Sequence, residues 1–301
     1  MIVDTEGRIK VGTVLTPDFE NSLAIYDKYL QYRPVHQGVI DEAWAKAMHA
    51  PAQAGKRYAT LAPASGTTIF IRLIEGTVPE AYVPLRSYGW ASLEITVQDV
   101  WKLAEELEAD RSPFEMYGPP KKLDFSDAFI PMQVIGPSGE VLYLNQVNES
   151  LPGMHLPMAQ SYVDHIFITP LATPDMDEAI QYYVDAFGWD KGEVYESPYT
   201  VISKAFGKPM DTIYRFAMTQ KGDVLNNEVD QYPDGTIERP TAPGELPPGV
   251  SFITFMTQDL DVVKAEAISD VFVREEAPYN GRRAAFYRGA AGELLEVISL
   301  T

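Results

Sequence analysis

An internal repeat constrains this chain more than any other feature of its sequence. Residues 10–17 and 163–170 each form a short β-like run that ends in Thr-Pro, and a helical pattern follows both. The segments 139–144 and 292–297 each pair a Gly-Glu turn with a β-strand pattern. The openings (Gly12 and His165) and the closings (Gly139 and Gly292) are separated by the same 153 positions. Two homologous halves are therefore expected.

Each half contains a second strand followed by a helix. The strands are predicted at 92–99 and 252–259, where Asp99 and Asp259 are expected to cap the helices that follow. Apolar spacing predicts the four helices. The residues that carry this spacing are Phe19, Leu23, Tyr26 and Leu30; Trp101, Ala104 and Leu107; Met176, Ile180, Tyr183 and Phe187; and Val262, Val263 and Ala267. The chain is thus predicted to contain four strand–helix–strands modules.

The predicted domains are 8–148 and 161–301, joined by a linker at 149–160. The length of 301 residues suits two domains, each with its own core. The stretch from 232 to 250 holds five prolines and three glycines and is predicted to be a long loop.

Charge and composition narrow the classes of function. With 43 acidic and 24 basic residues the formal charge is −19, which disfavours nucleic acid and membrane surfaces as partners. The absence of cysteine excludes disulfides, thiolate metal sites and thiol nucleophiles, so any metal must use His and carboxylate ligands. We expect a cytoplasmic protein, since no signal peptide or membrane span is recognisable in the sequence. The sequence leaves a homodimer open.

The ordered, duplicated motifs resemble the vicinal oxygen chelate superfamily, which includes glyoxalase I, extradiol dioxygenases and bleomycin-resistance proteins. The residues that carry the resemblance are the strand start 163–166, the helix end 179–189 and the closing segment 292–297. The resemblance covers nearly the whole chain. It implies an α+β fold in which paired βαβββ modules form half-open, cup-shaped sheets with helices outside. The cup wall then supplies a metal site or a binding cavity, and the fold alone does not choose between them.

Strand alternation predicts which side chains face each cup. In the first half these are Ser92, Glu94, Thr96, Tyr143 and Asn145; in the second they are His165, Phe167, Phe252, Thr254, Arg282, Phe286 and Glu296. The resemblance places metal ligands on the first, middle and last strands of a domain. In the second half this gives His165 and Glu296, but the middle residue is Phe252, which cannot ligate. The third ligand is therefore missing. We expect a protein without a cofactor, and the alternative is a divalent metal: Fe, Mn, Zn or Ni.

Two further observations concern chemistry and ligands. Glu94, between Ser92 and Thr96, would become a usable base if burial raised its pKa. Aromatic side chains directed into the second cup would suit a small apolar or aromatic molecule. The predicted substrate-binding residues are Tyr214, Phe252, Thr254, Arg282, Phe286 and Glu94.

The sequence leaves three functions to compare. The first is a lyase or isomerase that transfers protons, with Glu296 as base and His165 as its partner. The second is a metal-dependent glyoxalase-like lyase or extradiol-type dioxygenase that uses His165 and Glu296. That dioxygenase chemistry is disfavoured because Phe286 stands where those enzymes carry an acidic Tyr. The third is a non-catalytic protein that sequesters a drug or metabolite.

Overall fold

The computed structural model describes residues 3–122, 128–150 and 155–301. The predicted linker therefore lies partly outside the described residues, at 151–154. Module one contains β1 (Ile9–Thr16), α1 (Phe19–Leu30), β2 (Arg33–Val39), α2 (Glu42–Ala47), β3 (Arg57–Ala62) and β4 (Phe70–Glu75). Module two contains β5 (Gly89–Trp90), β6 (Leu93–Val97), α3 (Val100–Ala109), β7 (Glu115–Gly118), β8 (Phe129–Ile135) and β9 (Val141–Val147).

The second half repeats this order. Module three contains β10 (Val163–Thr173), α4 (Met176–Phe187), β11 (Asp190–Pro198), α5 (Thr200–Phe206), β12 (Ile213–Lys221) and β13 (Val224–Gln231). Module four contains β14 (Gly249–Thr257), β15 (Phe272–Val273), β16 (Arg283–Arg288) and β17 (Leu294–Ser299). The α+β class of the predicted fold is confirmed, and four modules are present, although the fourth lacks the α-helix of the other three.

The modules pair across the two halves of the sequence. Strands β15-β16-β17-β14-β1-β4-β3-β2 form one sheet, which we call the outer sheet because it joins modules one and four. Strands β11-β12-β13-β10-β6-β9-β8-β7 form the inner sheet from modules two and three. The junctions are the antiparallel pairs β1–β14 and β6–β10. Each predicted domain, 8–148 or 161–301, therefore supplies one module to each sheet.

The main core lies between the helix-bearing faces of the two sheets. Leu93, Ile95, Leu142 and Leu144 all point into it, as strand alternation predicts. The sheets approach closely at Gly12 on β1, where an added Cβ would lie 2.6 Å from a methyl carbon of Leu93 on β6. The opposite face of each sheet forms a cup, and a short helix, α2 or α5, packs into each one.

Aspartates cap the main helices, as predicted for module two. Asp99 accepts from the amide of Lys102 at the start of α3, and Asp18 and Asp175 cap α1 and α4 in the same way. The predicted helix of module four is wrong. Asp259 caps only a 3-10 turn, Leu260–Val262, because the amide of Lys264 bonds to the carbonyl of Ala186 instead of continuing a helix.

The Gly-Glu turns that close each half hold a helix in place. The Tyr26 hydroxyl donates to Glu140 over 2.9 Å, and the Tyr183 hydroxyl donates to Glu293 over 2.6 Å. Burial raises the pKa of both glutamates to about 7. In each half, the repeated closing motif thus links its turn to a helix through a buried Tyr–Glu hydrogen bond.

The predicted long loop is confirmed, since residues 232–248 form no helix or strand beyond an isolated bridge at Ile237. Among the described residues, none of the helices has the length and apolar character that a membrane span requires.

Candidate active site

Glu296, predicted as the base, lies at the centre of the outer cup and is fully paired. Its two oxygens accept from Tyr279 (2.5 Å) and Thr254 (2.6 Å), and Arg72 Nη1 lies 3.3 Å from Oε2. Arg72 also donates to the Tyr279 hydroxyl over 3.0 Å. The side chains of Arg72 and Glu296 have no exposed surface. This arrangement is a buried ion pair with its hydrogen-bonding capacity largely used, and it leaves no free carboxylate oxygen for a substrate proton.

The aromatic residues predicted to line a ligand cavity here fill the cup instead. Phe252 and Phe286 meet edge-to-face at 5.3 Å, and both are completely buried. Trp44 of α2 packs into the same cluster. Arg282 does not face this cup, because its guanidinium pairs with Asp4 over 2.7 Å. Of the predicted binding residues, three therefore belong to the packed interior of the outer cup: Phe252, Thr254 and Phe286.

His165 lies on β10 of the inner sheet, whereas Glu296 lies on β17 of the outer sheet. The structure does not bring these two predicted site residues together. The reason is the pairing of modules across the halves, which separates strands that share a half of the sequence. A site that needs both side chains at one substrate or one metal is not formed.

The inner cup carries the polar side chains predicted for the first half. Glu94 on β6 and Tyr143 on β9 are paired neighbours in a parallel ladder, as are Thr96 and Asn145. All four are buried, and Asn145 Nδ2 donates to Glu94 over 2.7 Å. Burial raises the pKa of Glu94 well above its usual range, and the charge of Glu228 raises it further. The prediction of a Glu94 carboxyl with a raised pKa is thus supported by its surroundings.

Glu228 and Asp230 enter the same cup from β13. They are two residues apart on one strand and therefore share a face, so their carboxyl groups are close neighbours. Burial raises the pKa of both, and for Asp230 the neighbouring Glu228 and Glu94 charges add to the effect. Burial and mutual repulsion therefore both favour the protonated form within this cluster of three carboxyl groups.

Tyrosines surround the carboxyl cluster. The Tyr199 hydroxyl donates to Glu228 over 2.9 Å and lies 3.2 Å from the Tyr143 hydroxyl. Tyr214, a predicted binding residue, belongs to the apolar cluster that also contains Tyr143 and the α5 residues Val201 and Ile202. Helix α5 and the residue before it thus cover the carboxyl cluster.

Several buried polar atoms on the strands of this sheet have no hydrogen-bond partner among the described residues. Those that lie on the cup side of the sheet are Ser92 Oγ, Thr96 Oγ1, Asn145 Oδ1, Tyr214 Oη and Asp230 Oδ1. A buried polar group without a partner costs free energy, and such groups gather where water or a ligand binds. The inner cup is therefore the candidate active site.

The sequence analysis missed Glu228, Asp230 and Tyr199. A signal for the two acids exists, because the turn-and-strand motif of Gly139 and Gly292 occurs a third time at Gly222. Six residues beyond its glycine, this copy places Glu228 where the first copy has Asn145. Tyr199 carries no comparable pattern, since it lies at the start of α5, an insertion in its module.

The metal that the fold family implies does not fit these residues. Within the three described ranges, no group of three His, Cys, Asp or Glu side chains is arranged to hold an ion. His165, the predicted histidine ligand, is not among the hydrogen-bonded partners of the cluster.

Comparison with solved structures agrees with this architecture. Glyoxalase I from Zea mays is similar over 97% of this chain and 92% of its own, with a TM-score of 0.62 and 13% identity. A "putative dioxygenase" from Bacillus subtilis is similar over 99% of this chain and 86% of its own, with a TM-score of 0.63 and 13% identity. No family model matches the sequence, and no curated protein matches it. The chain has the vicinal oxygen chelate fold of the glyoxalase and dioxygenase superfamily.

Proposed function

We propose that this protein is a lyase or isomerase that transfers protons on a small, largely apolar or aromatic molecule in the inner cup. The observation that carries the proposal is the cluster of Glu94, Glu228 and Asp230, buried on facing strands beside unpartnered polar atoms. Carboxyl groups whose pKa values are raised toward neutrality serve as general acids and bases at physiological pH. Tyrosines and apolar side chains supply the remaining surface of the site.

The surroundings of the three carboxyl groups give them different roles in proton transfer. Glu228 and Asp230 share a proton, so the ionised member of this pair accepts a proton from a carbon next to a substrate carbonyl. Glu94, kept neutral by burial, donates a hydrogen bond to the enolate oxygen that forms. For an α-hydroxyketone this enolate is an enediolate: isomerisation is completed when its oxygen takes a proton from Glu94, the carboxyl pair returns its proton to the former carbonyl carbon, and the α-hydroxyl proton passes to Glu94 as the new carbonyl forms. With a leaving group on the carbon beyond, its departure with the electron pair of the enolate completes an elimination instead.

A substrate must displace α5 or pass beside it, because Val201 and Ile202 occupy the mouth of the cup. Three contacts hold this helix: Lys204 Nζ donates to the carbonyl of Tyr117 (2.6 Å), Arg86 donates to that of Ala205 (3.0 Å), and Arg86 stacks on Phe206. Opening of the helix would break these contacts and remove Val201 and Ile202 from the apolar cluster, so substrate binding must compensate for that loss.

The test is proton exchange in D2O. We expect the wild-type protein to exchange the methylene protons of aryl α-hydroxyketones such as 2-hydroxyacetophenone, followed by NMR. Glu94→Gln and Asp230→Asn should each lower the exchange rate at least about 100-fold. Glu296→Gln in the outer cup and Glu293→Gln in the closing turn are matched controls, because each changes a buried carboxyl outside the inner cup. Both variants should retain the wild-type exchange rate, and circular dichroism checks that each is folded.

The alternatives give different outcomes. Binding of these ketones without exchange by the wild-type protein would support a sequestering protein. Loss of exchange in Glu296→Gln, with retention in Asp230→Asn, would move the chemistry to the outer cup. The metal-dependent glyoxalase or dioxygenase alternative requires His165 and Glu296 at one site, which the two sheets keep apart.

A further inference from the structure

A second candidate site lies outside both cups. A groove of about 790 Å³ runs beneath residues 155–160, between the start of β1 and the start of β10. Its apolar lining comes from Ile9, Ile69, Leu156, Met158, Phe167 and Leu225. The volume lies within the range of pockets that hold small organic molecules. The groove shares none of its lining with the carboxyl cluster of the inner cup.

His165 brings two ring nitrogens without hydrogen-bond partners among the described residues to this groove. The side chain is 1% exposed and lines the groove, yet neither ring nitrogen makes a hydrogen bond to any described residue. Nδ1 lies 3.3 Å from an oxygen of Asp164, outside hydrogen-bond geometry. That carboxylate is already bound by Ser65 Oγ (2.5 Å) and the amide of Gln160 (2.6 Å). A buried imidazole without a partner is costly, and a ligand acceptor in the groove would relieve that cost.

The other polar lining residues favour an anionic ligand. Arg8 forms no ion pair within the described ranges, because its neighbour Asp4 is held by Lys10 (2.6 Å) and Arg282 (2.7 Å). The guanidinium donates only through Nε, to Thr5 over 3.1 Å. His155 lies exposed along the same groove, and among the described lining residues Asp223 is the acidic one; the carboxylate of Asp164, 3.3 Å from His165 Nδ1, lies beside the groove. The hydrogen-bond donors of the groove therefore outnumber its acidic groups, which favours a ligand with a negative charge.

We propose that this groove binds a small organic carboxylate with an apolar body. Arg8, His155 and His165 bind the carboxylate, and the apolar lining, including Phe167 and Leu225, binds the body. The site is independent of proton transfer in the inner cup and would stand if that function failed.

The test compares two probes of equal shape by isothermal titration calorimetry. We expect 2-naphthoate to bind at least about 10-fold more tightly than neutral 2-naphthamide, which corresponds to one good charge-assisted contact. Arg8→Gln and His165→Gln should each weaken 2-naphthoate about 10-fold and leave 2-naphthamide unchanged. Met158→Trp, at an exposed rim position, should block both probes without disturbing the buried His165.

Two controls locate the binding. Arg33→Gln changes an arginine of the outer-sheet edge whose side chain is 75% exposed, and Glu94→Gln changes the inner cup; neither should alter 2-naphthoate binding. Equal affinities for the two probes, no binding of either, or an unchanged affinity in Arg8→Gln would overturn the proposal. Sensitivity to Glu94→Gln instead of Arg8→Gln would place the ligand in the inner cup and would also overturn it.

Discussion

The two cups of this molecule have the same fold and opposite electrostatics. The outer cup holds one carboxylate, Glu296, which is paired with Arg72 and bonded by Tyr279 and Thr254. The inner cup holds three carboxyl groups, and no lysine or arginine among the described residues forms an ion pair with them. A buried charge with its partners stabilises one packing arrangement, whereas buried acids without a cation must hold protons.

This difference is the reason why we propose the inner cup, and not the outer cup, as the reactive site. In the outer cup, Trp44 and Phe252 pack around Arg72, with their rings 5.1 and 5.6 Å from the guanidinium carbon. In the inner cup, unpartnered oxygens of Ser92, Thr96 and Asp230 remain around the acids. Both cups share one frame, and the side chains on their strands distinguish them.

The largest expected effect tests the ion pair of the outer cup. Arg72→Met leaves Glu296 buried without its cation, so we expect the free energy of unfolding to fall by about 3 to 5 kcal/mol. Arg72→Met combined with Glu296→Leu removes both charges and should recover most of that loss. Urea denaturation followed by circular dichroism measures both. A double variant as unstable as the single one would show that packing, not the unpaired charge, dominates this cup.

The second prediction concerns pH. The pKa of Glu140 and that of Glu293 are raised to about 7 in the folded protein, above the 4.5 of an unperturbed glutamate. The folded state therefore binds more protons than the unfolded state, so this stability is present below pH 4.5 and is lost as the pH rises through 7. Each group should contribute at most about 3 kcal/mol to the fall. Urea titrations from pH 4.5 to pH 8 measure it.

The inner cup should add to the same fall in unfolding free energy with rising pH, because the pKa values of Glu94 and Asp230 are raised too. The double variant Glu140→Gln/Glu293→Gln removes the contribution of the closing turns. The pH dependence that remains belongs to the inner cup, and a flat profile in this variant would contradict the proton-sharing cluster.

A matched pair of tyrosines compares the two cups directly. Tyr279→Phe removes a fully buried donor to the Glu296 carboxylate and should cost about 2 kcal/mol of unfolding free energy. Tyr199→Phe removes a half-buried donor to Glu228 and should cost less than about 1 kcal/mol. Equal losses would mean that the carboxyl groups of both cups depend on their tyrosines to the same extent. Thermal unfolding of both variants at one pH measures the two losses in stability.

Much of the fold could be predicted from the sequence, because strand alternation and the repeat are local patterns. The lumen-facing set Ser92, Glu94, Thr96, Tyr143 and Asn145 follows from alternation alone, and Asp99 follows from capping chemistry. The pairing of modules was not accessible in this way. Antiparallel pairing of β1 with β14 joins residues about 240 positions apart, and no local pattern specifies it.

The candidate site was only partly predictable for the same reason. Glu94 was recognised because it faces a cup whichever modules pair. The proposed partnership of His165 with Glu296 assumed that both strands share a sheet, which the pairing of modules across the halves prevents. Arg72 and Tyr279, which bind Glu296, lie 224 and 17 positions from it, so their convergence is a tertiary effect.

The smallest predicted effect is a gain in stability. Asp230→Asn replaces one of the crowded acids with a neutral side chain of the same shape, so at pH 8 we expect the free energy of unfolding to rise by about 1 kcal/mol. Glu296→Gln, the same kind of change in the outer cup, should lower it, since Arg72 then loses its counter-charge. Chemical denaturation of both variants at pH 8 and pH 5 gives the comparison. The gain from Asp230→Asn should shrink at pH 5, because the raised pKa of the native carboxyl favours its neutral form as the pH falls. If Asp230→Asn destabilised the protein at pH 8, the acids of the inner cup would be held by favourable contacts, and the difference between the cups would not be electrostatic.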